Sequence, residues 1–526
     1  MSDMKMDLSI RGRCLLILLL AFLLPYGCGS SKSPKSKSPP KKAVDKPKVK
    51  SKNGSFPQAA MGVMVGEVTP KNALVQVRLT QGTKPIDNEV KGMAGYVEFS
   101  LTAVNGDAQS TINKMGVAQE KYDYIVRVEF TNLTAGTAYK CTTKIGVHNA
   151  DGPDTTQTGP VATFRTLQGT ASDRPSKFVV VTGMNYGKFH GDNRINKAIH
   201  KKHNNTALPR AYSGSDKHLG YPALQSILKL KPDFFVGTGD NVYYDTPKKP
   251  RAKTIPQMRQ KWHEQFVQPR YVDLFAAVPT YWEIDDHDYR IDDGDNTGDH
   301  DPSPQVAQQI MKEQLPYGAM GAPDVKTYRT RRVNRDLQVW FVENRIYRSP
   351  NAMKEGPDKS IWGKQQKAWL KTTLQASDAK FKVLVSPNPM IGPDDARKSD
   401  NHTNIGGFRN ERDEFFKWLV ESGVAKKHFY LICGDRHWQY HSIHPLGMEE
   451  FSCGALVDAN SRPGRKPGDP KSTDPKGLIK QVYSQDKPSG GFLLVATAPA
   501  KANEPATLTF TFHDERGAVL YSHVKR

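Results

Sequence analysis

The feature that most limits what this chain can become is a set of short, almost purely apolar runs spread through its middle. They are Phe178-Val179-Val180-Val181, Phe234-Phe235-Val236, Val339-Trp340-Phe341-Val342, Phe381-Lys382-Val383-Leu384-Val385 and Phe429-Tyr430-Leu431-Ile432. Each is too short for a buried helix and rich in branched or aromatic residues, so each reads as a strand buried on both faces. Between them lie stretches with helical spacing at 221–230, 363–374 and 409–421. Such alternation argues for an α/β domain. The end of the chain differs: Gly491-Phe492-Leu493-Leu494-Val495, Thr507-Leu508-Thr509-Phe510-Thr511-Phe512 and Val519-Leu520-Tyr521 read as a final antiparallel group.

Ahead of this domain the pattern is β. Ala73-Leu74-Val75-Gln76-Val77-Arg78-Leu79 and Tyr124-Ile125-Val126-Arg127-Val128-Glu129-Phe130 alternate, and Ala162-Thr163-Phe164-Arg165-Thr166 closes the set. Short strands with polar turns imply an all-β sandwich over 58–168. Leu133-Thr134-Ala135-Gly136-Thr137-Ala138-Tyr139 resembles the corner of fibronectin type III-like or immunoglobulin-like modules, in which the Tyr packs and caps a loop. A linker around 168–176 precedes a second domain over 169–526.

The N-terminus is organised for export. Arg11 and Arg13 precede the apolar run 15–24, which has the length of a signal h-region and is short for a membrane span. Cys28 follows a small residue just past that run, as in bacterial lipoprotein signals, although the preferred Leu sits at Leu24. An ordinary cleaved signal over 1–28 and a lipid tether through Cys28 both fit, and either places the protein in the periplasm or at the cell surface. Residues 29–57, dominated by Lys, Ser and Pro, read as a disordered tether. Its stretch 31–52 holds nine lysines against Asp45, so it carries +8 of the net charge of +21. The remainder is only moderately basic. That favours anionic substrates and gives no sign of specific nucleic-acid binding. The five cysteines, Cys14, Cys28, Cys141, Cys433 and Cys453, form no CxxC pair and suggest no zinc site; Cys433 and Cys453 are the pair open to a disulfide.

Acids and histidines stand just past three strand ends: Gly239-Asp240-Asn241-Val242-Tyr243, Asp285-Asp286-His287-Asp288 and Gly434-Asp435-Arg436-His437. Sites in α/β sheets form outside the carboxyl ends of strands. One carboxylate can bridge two cations while other carboxylates, a phenolate and imidazole complete the shells. Two such ions serve in-line phosphoryl displacement, and an adjacent His can protonate the leaving oxygen. A lone Gly-Asp after a strand is usually a turn. Three acid-bearing strand ends in one chain are a far more specific signal.

At these motifs the chain resembles the PhoD-like alkaline phosphatases, a branch of the calcineurin-like metallophosphoesterases. Gly239-Asp240-Asn241-Val242-Tyr243 matches the family's Gly-Asp-x-x-Tyr, Asp285-Asp286-His287-Asp288 its Asp-Asp-His-Asp/Glu, and Gly434-Asp435-Arg436-His437 its Gly-Asp-x-His. Phe341-Val342-Glu343-Asn344-Arg345-Ile346-Tyr347-Arg348 resembles its Phe-x-Asp-x-Arg-x-x-Arg with Glu for Asp. Gly363-Lys364-Gln365-Gln366-Lys367-Ala368-Trp369-Leu370 is similar to its Gly-x-x-Gln-x-x-Trp-Leu helix.

The resemblance implies a metallophosphoesterase double-sheet sandwich flanked by helices and hydrolysis of phosphate monoesters or diesters by a metal-activated hydroxide. It also implies two or more metal ions, iron with calcium. Asp240 would bridge them, Tyr243 would bind iron, and Asp286, Asp435 and His437 would complete the shell. His287 would be the proton donor. Arg345 would grip phosphate oxygens or, equally, form a structural salt bridge with Glu343 or a neighbour.

One departure matters. Where the family places an iron-binding Cys, this chain has Thr182-Gly183-Met184-Asn185-Tyr186, which leaves Asn185 as a substitute ligand and weakens the case for iron. A close alternative is a related hydrolase acting on another ester, such as a phospholipid head group or a sulfate. A cell-surface binding protein with a degenerate metallophosphatase domain is the reading from another class. Retention of Asp240, Tyr243, Asp286, His287, Asp435 and His437 argues against it.

Overall fold

Along the run 178–181, alternate side chains serve two different cores. Phe178 and Val180 pack with Val339, Phe341, Val383 and Phe510, whereas Val179 and Val181 pack with Leu224, Ile227 and Trp262 from helices. A strand that is apolar at every position is required wherever a sheet is covered on both sides. That is its situation in the computed structural model, which describes residues 56–87, 89–104, 111–148, 154–191, 211–247, 251–322 and 325–526. The expected signal at 1–28 with Cys28, and the tether as far as residue 55, lie outside the described residues.

The strands of the N-terminal module are β1 (Val63–Gly66), β2 (Ala73–Arg78), β3 (Gly95–Ala103), β4 (Ile112–Ala118), β5 (Ile125–Phe130), β6 (Ala138–Val147) and β7 (Thr155–Arg165). The second domain contributes β8 (Lys177–Val181), β9 (Phe234–Thr238), β10 (Thr280–Glu283), β11 (Arg329–Arg332), β12 (Leu337–Phe341), β13 (Phe381–Ser386) and β14 (Phe429–Cys433). It ends with β15 (Gln439–Ile443), β16 (Glu449–Cys453), β17 (Lys480–Ser484), β18 (Gly491–Ala498), β19 (Thr507–Asp514) and β20 (Val519–Lys525).

Two large sheets face one another, ordered β20-β19-β18-β8-β9-β10-β1-β2-β5 and β11-β12-β13-β14-β16-β15-β17. Their inner faces share one apolar core, including the stacked pair Phe451 and Phe510 at 3.8 Å between ring centroids. Helices Pro222–Leu230, Ile255–Phe266, Pro269–Ala277 and Pro304–Gln314 cover the outer face of the first sheet. Gly363–Ala376 and Arg409–Glu421 cover that of the second. This is the double-sheet sandwich flanked by helices that the sequence motifs imply.

The all-β module is a sandwich whose second sheet is β4-β3-β6-β7. Its corner forms as expected, with the Thr134 N–H donating to the Tyr139 hydroxyl at 2.9 Å. Its first sheet is not separate. β1 pairs in parallel with β10 at Gly66 and Thr280, so β1, β2 and β5 extend the first large sheet. Cys433 and Cys453 stand on neighbouring strands as buried free thiols.

Strands β8, β9 and β10 run parallel in one sheet, and β12, β13, β14 and β16 in the other. Their carboxyl ends gather at one edge. There Thr182 bridges Ala455 in parallel, joining the two sheets. Gly434, just past β14, lies so close to β9 that a Cβ would stand 2.4 Å from the Thr238 carbonyl oxygen and 2.9 Å from that of Pro387. Backbone atoms cannot retreat as a flexible side chain can, so Gly434→Ala is expected to destabilise the fold by about 1–3 kcal/mol. Urea unfolding checks this; an unchanged midpoint would refute the close approach.

Candidate metal centre

Asp240 and Asp435 occupy equivalent positions one turn beyond β9 and β14. Both have left-handed backbone, with φ of 55° and 57°. Asp tolerates this conformation better than most side chains. The turn at Gly239-Asp240 is secured by Thr182, whose hydroxyl donates to the Gly239 carbonyl at 2.9 Å, and by Asn241, whose N–H donates to Asp288 at 3.0 Å. Asp288 also receives the Asp285 N–H at 2.6 Å, so it caps the short helix Asp286–Tyr289. The four residues 285–288 thus divide into two that tie loops together and two that face outward.

Those two, Asp286 and His287, line a cavity of about 440 Å³ with Asp240, Asp435 and His437. Asp240 Oδ2 accepts from the Tyr243 hydroxyl at 2.6 Å and lies 2.9 Å from His437 Nε2. The Tyr243 ring packs against His287 at 4.4 Å between centroids. His287 Nδ1 is 2.7 Å from Asp245 Oδ1, which leaves Nε2 as the nitrogen turned to the cavity. The structure therefore brings together Asp240, Tyr243, Asp286, His287, Asp435 and His437.

Two groups of donors lie within 4.8 Å of one another: Asp240, Asp286 and His287, and then Asp286, Asp292 and Asp293. They share Asp286, so a cation held by Asp240 and Asp286 would neighbour one held by Asp286, Asp292 and Asp293, with His287 beside the first. Among the described residues, several buried atoms have no hydrogen-bond partner: Asp240 Oδ1, Asp435 Oδ2 and His437 Nδ1. Leaving a buried polar atom unsatisfied is costly, and most such atoms in folded proteins have partners. Burial pushes the Asp240 carboxyl up to about 8, with the charge of His287 opposing the rise and Asp286 adding to it. Burial also holds His437 well below its ordinary value, helped by Arg462 and Lys188, so its imidazole is neutral and able to coordinate. For His287 burial works against protonation, but Asp245, Asp286 and Asp240 outweigh it and raise the imidazole well above its usual range. A cluster of carboxylates, one phenol and a neutral imidazole with orphaned lone pairs fits divalent or trivalent cations.

Two residues that the sequence nominates are elsewhere. Asn185 is a helix cap: its Oδ1 accepts the Lys188 N–H at 2.9 Å and its amide approaches Thr246 Oγ1 at 3.4 Å. Its oxygen is therefore committed and it does not line the cavity. Arg345 is fully buried. Its Nε and Nη2 donate to Asp285 at 2.7 and 2.5 Å, its Nη1 to the Gly294 carbonyl at 2.9 Å, and Nη2 also meets Asp400 at 3.2 Å. The salt bridge is real, with Asp285 as partner, and no face remains for phosphate. Met184, near the position of the absent Cys, turns its sulfur to the Tyr271 hydroxyl at 2.7 Å.

Sequence reasoning missed several neighbours. Asn460 donates to the Tyr243 hydroxyl at 2.8 Å and accepts from Lys188 Nζ at 2.7 Å. It follows β16 with no motif around it. Asp245 lies two residues past Tyr243, and Asp292 and Asp293 stand in an acidic run beside the second motif, so their proximity was a usable signal. The cavity mouth carries Arg397, Lys398, Arg462 and Arg465. Arg462 stacks over Trp438 at 5.6 Å, and its Nε has no hydrogen-bond partner among the described residues.

This fold and this cluster define a metallophosphoesterase-type centre. The family model for PhoD-like phosphatases matches residues 210–487, more than half of the 526, and the chain belongs to that family. As a member it is a phosphoric ester hydrolase. The solved structure of PhoD is 16% identical and aligns over 91% of this chain and 92% of its own, with a TM-score of 0.66. Purple acid phosphatase PPD1 from yellow lupin (Lupinus luteus) seeds is 11% identical and aligns over 88% of this chain and 73% of its own, with a TM-score of 0.55. Both likenesses show the shared fold. Among curated proteins none matches the chain.

If Arg345 is structural, Arg345→Met should cost about 3–5 kcal/mol of stability, because it leaves Asp285 buried without its cation. Denaturant unfolding beside steady-state kinetics checks this. A raised KM with unaltered stability would return Arg345 to substrate binding.

Proposed function

We propose that the protein is an exported phosphoesterase that hydrolyses phosphate monoesters or diesters at the acidic cavity. Asp240, Tyr243, Asp286, Asp435 and His437 would hold two or more cations, with Asp292 and Asp293 completing the set. The supporting observation is the group of orphaned buried donors at Asp240, Asp435 and His437 around one cavity. Bound cations supply Lewis acidity toward phosphoryl oxygens and lower the pKa of water. Oxygen-rich ligands suit calcium, and the Tyr243 phenol keeps a place for iron without a thiolate.

The side chains do the remaining work. His287, oriented by Asp245, holds a proton at Nε2 for the departing alkoxide. Arg397, Lys398, Arg462 and Arg465 draw an anionic ester toward the acidic floor. The apolar run at 15–24 and Cys28 support a location in the periplasm or at the cell surface, with a lipid on Cys28 as tether.

Protein stripped by chelator and reloaded with iron, calcium or manganese should hydrolyse chromogenic phosphate esters only after reloading. Asp240→Asn should lose at least about 100-fold in rate, beyond the loss typical of outer-shell changes. A reloaded wild type that stays inert would sink the reading. His287→Asn should slow alkyl phosphates about 10²–10⁴-fold and nitrophenyl phosphates much less, because only a poor leaving group needs a proton. Equal losses for both, with a metal equivalent gone, would make His287 a ligand instead. Cys28→Ser should move the protein from the membrane fraction to the soluble one; unchanged fractionation would exclude the lipid tether.

A further inference from the structure

Away from the acidic cavity, His441, Glu449 and His523 bring one donor atom each within 4.8 Å of one another. None of the three lines that cavity. They come from β15, β16 and β20, so two belong to one large sheet and the third to the sheet facing it. We propose that His441, Glu449 and His523 form a second metal site, separate from the phosphoesterase centre, that binds a divalent first-row ion of the zinc class and staples the two sheets together. This stands apart from the phosphoesterase reading and survives its failure.

The hydrogen bonds already have the form such a site needs. Metal-binding histidines present one ring nitrogen to the ion and give the other to an outer partner that fixes the ring. Here the Tyr521 hydroxyl is that partner for both, 3.1 Å from His441 Nδ1 and 3.2 Å from His523 Nδ1. His441 Nε2 then points at Glu449 Oε2, 2.9 Å away. The His441 ring is further fixed by stacking on Phe451 at 4.2 Å. Two imidazoles and one carboxylate make a donor set characteristic of zinc and its neighbours, with a coordination position left for water. His523 and Glu449 are half-buried, which gives an ion a route in.

Lys525 competes. Its Nζ lies 2.6 Å from Glu449 Oε1 and 2.5 Å from Oε2. An ammonium on a flexible stem can keep Oε1 while Oε2 turns to the ion. Its charge should weaken binding, which makes it a useful probe.

The test is calorimetric titration of chelator-treated protein with Zn²⁺, comparing variants so that uptake at the acidic cavity cancels. His523→Gln should bind one equivalent fewer than wild type while phosphate-ester hydrolysis in the reloaded protein stays unchanged. Tyr521→Phe, which keeps the ring packing, should weaken the site about 10- to 100-fold. Lys525→Met should tighten it. Equal stoichiometry in wild type and His523→Gln overturns the proposal. Should His523→Gln not fold, unchanged affinity in both Tyr521→Phe and Lys525→Met overturns it equally.

Discussion

The close approach of two backbones, at Gly434 and Thr238, is what the site depends on. A sheet alone presents its strand ends in a row, and acids on neighbouring strands of one sheet share one line. Two sheets facing one another can instead bring acids from opposite sides to one place, provided their edges touch. The space beside Thr238 admits no side chain at residue 434. Through that contact Asp240 from one sheet and Asp435 with His437 from the other come to line the same cavity. The parallel bridge between Thr182 and Ala455 closes the same edge from the other side, and the Leu456 N–H reinforces it with a 2.8 Å bond to the Thr182 carbonyl.

Such convergence has an electrostatic cost. Seven aspartates line the cavity: Asp240, Asp286, Asp292, Asp293, Asp394, Asp395 and Asp435. The fold neutralises some of them from within. Arg436 pairs with both Asp394 and Asp435, and Lys398 with Asp293. Burial raises the Asp435 carboxyl, but Arg436 and Lys398 more than reverse this and hold it well below the usual range. One layer deeper Arg345 pairs with Asp285 and opposes the rise that burial imposes, although burial prevails and leaves that carboxyl well above its usual range. Among the described residues Asp240 has no Lys or Arg within salt-bridge distance, only His437, and one of its oxygens has no partner. Arg436 thus reaches Asp435, and Arg345 lies 3.9 Å from Asp286, but neither reaches Asp240, where exogenous cations would complete the balance.

What the sequence made legible follows from range. Asp240, Tyr243, Asp286, His287, Asp435 and His437 lie in short runs directly after apolar strands, so strand placement alone put them at one edge. Helices at 222–230 and 409–421 were legible from spacing for the same local reason. Asn185 and Arg345 were assigned by motif position; the Asn185 cap on the Lys188 N–H is a local contact three residues on, whereas the Arg345 partner, Asp285, lies sixty positions away where no local pattern reveals it. Asn460 contacts Tyr243 across a still longer separation, from a 3₁₀ turn without periodicity. His441 stands four residues past the last motif, where no local pattern marks its surroundings. It is a fully buried strand residue, because β15 pairs with β16 and β17 in runs too polar to read as strands.

The N-terminal module shows the same limit at larger scale. Three of its strands, β2, β5 and β7, were readable, but not the pairing of β1 with β10 that makes its sheet an extension of the one carrying Asp240. The attachment also runs through buried polar contacts. Asp123 of the module takes Arg78 at 2.9 Å and His263 Nε2 at 2.6 Å, and Glu89 takes the other ring nitrogen of His263 at 2.6 Å. His263 sits on helix Ile255–Phe266, whose Gln265 donates to the Asn241 carbonyl at 2.9 Å and the Met184 carbonyl at 3.2 Å. Module, helix and the loop carrying Asp240 are therefore one continuous packed unit. A pendant binding domain needs freedom from its neighbour, and this module has given that up. Its geometry makes it a buttress for the loop carrying Asp240, so damage at Asp123 or His263 would be felt at Asn241, beside the cavity and far from the module's own surface.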